Sequence, residues 1–358
     1  MLCLTYSRRD LRFNFPARTS RGALTTHTAY FLHLHEGVTP AAGAPVGLGE
    51  AAPLAGLSPD FSPDFEAQVA GVCQQFNEAK FSAFSAAQVP ALIGPDLPAL
   101  RFALETAALD YARGGTRQLY DNAFARGQQG IPINGLVWMG DAAFMRQQIK
   151  QKLTAGFSCL KLKIGSLDFA TELDLLAEIR AVAGPADLTL RVDANGAFSP
   201  EEAPARLDAL SQFAIHSIEQ PIRAGQPAAL AGLCQTSPIP VALDEELIGV
   251  TDPRAQELLL DTVRPAYIVL KPTLLGGHAA TRHWIALAQA RRIGWWLTSA
   301  LESNVGLNAV AQLTGEYELA NFAQGLGTGQ LYHNNIAAPL DINQGKLYFA
   351  PEQSWEMP

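Results

Sequence analysis

The chain has 358 residues, 48% of them hydrophobic, which is enough for a large core and for two domains. Its formal net charge is -8 with no block of lysine or arginine, and this argues against nucleic acid or an anionic membrane surface as partner. No apolar run reaches the roughly 18 residues that span a bilayer, the N-terminus lacks the order of a signal peptide, and the four cysteines are scattered without a CxxC pair, so the cytoplasm is the expected compartment.

Residues 2 to about 50 read as β-rich: Leu2–Tyr6 alternates, Ala29–His35 is a second strand and Val46–Glu50 a short third. Between the first two lies a loop at about 16–23 that carries Arg18 and Arg21. It reads as a lid over a site, with Arg21 placed to meet an anionic substrate; a solvated hairpin loop is the plainer alternative. His33 and His35 share a strand face, but with no third ligand in sight a metal site there is disfavoured. Asp64 to about Ala83 has helical periodicity, with Asp64 as N-cap and Phe65, Val69, Val72, Cys73 and Phe76 on one face. A second helix, about Pro98 to Ala112, turns Leu100, Ala103, Leu104, Ala107, Ala108 and Tyr111 inward and ends at the glycines 114 and 115. Residues 1–125 are therefore expected to form a small α+β capping domain.

From Ile131 onward strands and helices alternate. Strands are predicted at 131–138, 160–164, 188–194, 215–219, 240–244, 266–271, 294–299 and 320–323. Helices between them are predicted at 141–155, 168–183, 200–212, 227–235, 253–260, 276–292 and 304–315. The helix at 168–183 is expected to turn Phe169, Leu173, Leu176, Ile179 and Val182 inward. This is the pattern of an α/β fold, a modified TIM (β/α) barrel over residues 126–335. The remaining 336–358, with Gly345–Phe349 in it, is expected to return to the capping domain.

The chemistry lies on the strands. Lys161 and Lys163 alternate with Leu160, Leu162 and Ile164, so two ammonium groups share one strand face. Asp193, Glu219, Asp244 and Lys271 then follow, one charged group per successive strand, with the three acids about 25 residues apart. A single acid at a strand end is usually a helix cap, but three at matched spacing between lysine-bearing strands make an all-oxygen ligand set. Such a set suits Mg²⁺, with Mn²⁺ as the other hard divalent ion. A lysine serves as a general base only if its pKa falls, and burial, a second lysine and a divalent cation all push that way. Lys163 and Lys271 are expected to face each other across the metal, an arrangement suited to removing a proton α to the carboxylate of a small-molecule substrate.

The stretches Lys161-Leu-Lys163, Asp193-Ala-Asn195, Glu219-Gln-Pro221, Asp244-Glu245 and Lys271-Pro272 resemble the enolase superfamily, muconate-lactonizing subgroup. Finer features, namely Ile133–Gly140, Arg191, Thr298–Leu307 and Gly325–Leu331, resemble the o-succinylbenzoate synthase family within it. The resemblance implies dehydration of 2-succinyl-6-hydroxy-2,4-cyclohexadiene-1-carboxylate to o-succinylbenzoate in menaquinone biosynthesis. It also implies roles: Lys163 removes the α-proton and returns it to the departing hydroxyl, Lys271 faces the other side of the ring, and Lys161 keeps the pKa of Lys163 low. Arg191, Ser299 and Gly327 would bind substrate together with Arg21. The catalytic pattern equally resembles N-acylamino acid racemases and dipeptide epimerases, which remain the alternatives. A non-catalytic, metal-stabilised scaffold is the reading from another class, and the intact lysine pair counts against it. The sequence leaves the oligomeric state open.

Overall fold

The computed structural model describes residues 1–19, 22–318 and 322–358. Strands β1 (Leu2–Thr19) and β2 (Gly22–Glu36) form one long antiparallel ladder that runs from Leu2–Glu36 to Thr19–Gly22, with a break in register between Arg12 and Ala17. The expected lid loop at 16–23 is therefore strand up to its tip, and Arg21 lies outside the described residues. The reason is the continued alternation of Leu11, Phe13, Phe15 and Ala17. Phe13 packs on Tyr332 at 4.6 Å and Phe15 on Trp138 at 6.1 Å, so the hairpin leans on the second domain instead of looping free. His33 and His35 bond across the ladder to the hydroxyls of Ser7 and Thr5, at 2.8 and 3.4 Å.

Strand β3 (Val46–Ala51) lies along the other edge of β2. Helix Pro98–Ala112 crosses β3 so closely that a Cβ at Gly49 would overlap the Ala103 carbonyl. Helix Phe65–Glu78 buries Phe65, Val69, Val72, Cys73 and Phe76, the face its periodicity predicts. It stops at Glu78, and the Asp64 side chain makes no capping bond.

Seven parallel strands follow in the spatial order of their sequence: β5 (Gly135–Val137), β6 (Cys159–Lys163), β7 (Thr189–Asp193), β8 (Ser217–Glu219), β9 (Val241–Leu243), β10 (Tyr267–Leu270) and β11 (Gly294–Leu297). Of the predicted strand at 320–323, positions 320 and 321 lie outside the described residues. Closure is made just beyond it: Gln324 bridges to Ile133 and Gly325 to Thr298, so the last strand is joined back to the first. Val182, expected inward on helix Phe169–Val182, is 74% exposed; Leu175, two turns earlier, is buried instead.

In the segment 345–349, β13 (Lys346–Phe349) pairs with β12 (Leu340–Asn343) and with β4 (Ile131–Pro132) at the start of the barrel, and Phe349 packs against Phe124, at the end of residues 1–125. Further contacts with residues 1–125 are made by Glu356 on Arg9 at 2.8 Å and Met357 on Arg117. Two buried carboxylates also cross from the capping domain into the barrel. Glu50 on β3 accepts from Ser303 N and Gly306 N, both at 2.7 Å, and from Ser303 Oγ at 2.5 Å, at the start of helix Asn304–Thr314. Glu105 accepts from His278 N and Ala279 N at the start of helix His278–Ala290. Helix N-termini leave unpaired N–H groups and positive potential, which these acids meet.

Candidate active site

The parallel register sets Lys163, Asp193 and Glu219 side by side on β6, β7 and β8, while Lys161 sits one inward position below. Asp244 and Lys271 follow directly on β9 and β10. Period two along each strand then sends all of these side chains into the barrel. Asp193, Glu219 and Asp244 are 1–2% exposed.

Each acid meets a lysine. Lys161 Nζ lies 2.7 and 2.6 Å from the two Glu219 oxygens and 2.9 Å from Asp193 Oδ2. Lys163 Nζ donates to Asp193 Oδ2 at 3.1 Å and to Asn195 Oδ1 at 2.7 Å, and Asn195 Nδ2 donates on to Glu245. Lys271 is ion-paired to Asp244. Burial pushes the Asp193 carboxyl up, but the ammonium groups of Lys161 and Lys163 outweigh it and hold Asp193 below the ordinary range. Burial, followed by the nearby charge of Asp193, pushes Glu219 well above its usual value. Burial lowers Lys161 and Lys271; the facing carboxylates, Asp193 and Glu219 for one and Asp244 for the other, overcome this and keep both raised.

No three acidic or imidazole side chains among the described residues converge closely enough to hold an ion as they stand, because lysines occupy the space between them. The donor set still fits a hard divalent ion: three buried carboxylates, oxygen only, on neighbouring strands.

Above the charges opens a small, partly enclosed cavity. Lys161, Lys163, Asp193 and Lys271 line its floor, and Leu54, Leu57, Leu136, Trp138 and Leu301 form apolar walls. Lys163 and Lys271 lie four strands apart in the sheet order, hence on opposite sides of an eight-stave barrel. Ser299 and Gly327 line the cavity as well. The Ser299 hydroxyl, however, gives its one proton to Glu302 at 2.5 Å and accepts from Thr328 Oγ1 and Leu301 N, so it has no proton left for a ligand. Gly325 sits so tightly on Thr298 that a Cβ would strike that hydroxyl, and its N–H is spent on Leu297 O.

Arg191 does not line the cavity. It lies in the barrel layer beneath, 2% exposed, with its guanidinium sandwiched between Trp296 at 4.4 Å and Phe322 at 4.5 Å and donating to Ala323 O. It shares its strand face with Asp193, so a strand-face argument puts it near the acids, but the two aromatic rings hold its guanidinium out of the cavity. The sequence reading passed over Asn195 and Glu245 as site residues, although both stand beside acids it chose. It also had no signal for Leu54 and Leu57, which come from the capping domain.

Comparison with known proteins follows the same geometry. Residues 144–353 match the family described as Enolase C-terminal domain-like. An o-succinylbenzoate synthase from Desulfotalea psychrophila (strain LSv54 / DSM 12343) is 45% identical over 96% of this chain and 98% of its own. The crystal structure of MenC from Desulfotalea psychrophila LSv54 superposes with a TM-score of 0.84 at 42% identity, covering 97% of this chain and 99% of that one. An L-Ala-D/L-Glu epimerase from Bacillus subtilis (strain 168) is 30% identical, but over only 47% of this chain and 45% of its own. The chain therefore belongs to the o-succinylbenzoate synthase family, within the enolase superfamily.

Proposed function

We propose that the protein is an o-succinylbenzoate synthase, a lyase that dehydrates 2-succinyl-6-hydroxy-2,4-cyclohexadiene-1-carboxylate to o-succinylbenzoate in menaquinone biosynthesis. The observation that carries this is the likeness to an o-succinylbenzoate synthase over nearly the whole of both chains. The cavity supports it, with Lys163 and Lys271 on opposite sides, Asp193 in the floor between them and apolar walls for a ring.

In this reading Asp193, Glu219 and Asp244 would hold a divalent cation, Mg²⁺ or Mn²⁺, which would supply positive charge to the substrate's ring carboxylate. Lys163 takes the proton from the carbon that bears that carboxylate. The C–H electron pair moves into the ring, the bond to the hydroxyl on the neighbouring carbon breaks, and Lys163 returns its proton so that water leaves. One C–H and one C–O bond are lost, one C=C bond is gained, and the ring becomes aromatic. Lys271, on the far side, faces the ring with an ammonium group and offsets the negative charge that builds there. Asn195 orients Lys163, and Leu54, Leu57 and Trp138 exclude water from the ring. No helix among the described residues is long and apolar enough to cross a membrane, and the four cysteines are free thiols. Both features agree with our placing the enzyme in the cytoplasm.

An amino-acid racemase needs a base on each face of its α-carbon, and the same lysine pair meets that need. The test is a side-by-side measurement of kcat/KM on the cyclohexadiene, on N-succinyl amino acids and on dipeptides, with the aromatic product followed by its ultraviolet absorbance. More efficient turnover of either amino-acid class would leave only the superfamily assignment standing.

A further inference from the structure

Leu301 forms part of the cavity's apolar wall, and its backbone holds an uncommon shape. Its φ is +68°, in the left-handed region that favours glycine, where a residue with a side chain persists only if its surroundings hold it. Three groups do so. Leu301 N donates to Ser299 Oγ at 3.0 Å, and Tyr332 Oη donates to Leu301 O at 2.6 Å. His27 Nδ1 stands 3.1 Å from the same carbonyl and 3.1 Å from Tyr332 Oη.

His27 comes from the capping domain, on β2, and is 5% exposed. Its other ring nitrogen, Nε2, lies 3.3 Å from Pro53 O. Pro53 leads directly into a second part of the wall. Leu54 O accepts from Leu57 N and Ser58 N, and Leu54 N donates to Ser58 Oγ at 2.6 Å, so Leu54 and Leu57 sit on one tight turn. One imidazole therefore touches the backbone of both wall segments, and Leu54 and Leu301 belong to the same apolar cluster. Burial lowers the pKa of His27 and keeps the ring neutral at pH 7. A neutral ring has one proton for its two sides, so it donates to one segment and packs against the other. Glu50 also joins the two domains, but it bonds to Ser303 and Gly306, past the wall. The dehydration itself does not use His27.

We propose that His27 is a positioning residue that sets the spacing of the leucine walls, and that this spacing makes the cavity select a flat ring. The proposal rests on the dehydratase reading above. The cavity is small and partly enclosed, and the cyclohexadiene is a nearly flat six-membered ring. An N-succinyl amino acid instead carries its side chain on a tetrahedral carbon and needs more room between the walls. Without the imidazole, Leu301 is free to leave its left-handed φ and the turn at 54–58 loses its contact with the barrel. The slot widens, the ring loses its fit, and the bulkier ligand does not.

The test uses the full chain with His27→Leu, which fills the site without a ring nitrogen, and His27→Ala as a second variant. Three quantities are read: KM and kcat for the cyclohexadiene, and the inhibition constant of added N-succinylphenylalanine. The expected result is a rise in KM of roughly tenfold, the upper worth of one hydrogen bond, with kcat and the inhibition constant each changed by less than about threefold. A merely structural role would lower the folded fraction, and with it kcat, while KM stayed where it was. The proposal is overturned if KM stays within about threefold of wild type, or if N-succinylphenylalanine binding weakens in parallel with it. Should the Leu variant fail to fold, the Ala variant is judged by the same numbers. Wild-type protein that does not dehydrate the cyclohexadiene would overturn the functional reading itself, which sets that failure apart from a failure at His27.

Discussion

Glu50 offers a direct way to measure what holds the capping domain to the barrel. Its carboxyl is fully buried among Ser303 N, Ser303 Oγ and Gly306 N, and burial pushes its pKa from 4.5 to about 7. The raised value means that the folded protein binds this proton more tightly than the unfolded chain does. Stability from this group is then complete below the unfolded value of 4.5 and is lost as pH rises through about 7. Between about pH 5 and about pH 8 the loss amounts to roughly 2–3 kcal/mol. Glu50→Gln has nearly the same shape and does not titrate. Urea unfolding of wild type and variant at both pH values gives the stability gap between them, and that gap should move by roughly 2–3 kcal/mol against the wild type as pH rises. Comparing the two proteins cancels the other titrating groups, including Glu105, whose carboxyl burial also pushes to about 7. Parallel pH profiles, with a gap constant to within about 0.5 kcal/mol, would show that burial does not raise the Glu50 carboxyl.

Three further outcomes are expected. Asp244→Asn, or chelation by EDTA, lowers turnover by at least ~100-fold, since a hard ion is held by charge; activity that survives EDTA would remove the metal from the site. Lys163→Ala lowers kcat by ~10²–10⁴-fold and stops exchange of the substrate α-proton with D₂O while substrate still binds, and retention of exchange would move the base elsewhere. Arg191→Met loses two aromatic contacts and a bond to Ala323 O, so stability falls by roughly 2–4 kcal/mol while KM holds; a rise in KM with an unchanged melting temperature would return Arg191 to a binding role.

The barrel was legible because the five strands β6 to β10 are short apolar runs that each end in, or are followed at once by, a charged residue, and the register brought those charges together as their spacing implied. What a strand face cannot tell is depth. Lys161 and Arg191 are register partners and both alternate inward, yet Lys161 reaches the cavity floor while Arg191 lies in the aromatic layer beneath it. The hairpin was misread because Pro16 and Gly22 look like turn chemistry, while the aromatics Phe13 and Phe15 carry the strand onto Tyr332 and Trp138. Those partners lie more than a hundred residues away, and no local pattern points to them. The same holds for Glu50 and Glu105: an acid in a strand and an acid in a helix look like solvated charges until the helices they cap are in place. Ser299 shows the converse. It is in the cavity, as the family motif implied, but its only proton is already given to Glu302.

The pairing of three lysines with three carboxylates on the barrel floor has a consequence for how the protein comes into being. With Lys161, Lys163 and Lys271 set against Asp193, Glu219 and Asp244, the buried charges sum to zero without any added ion. The chain therefore supplies from within itself the countercharge that each of these six groups needs once it leaves water, and the barrel can close over them without an unpaired charge on its floor.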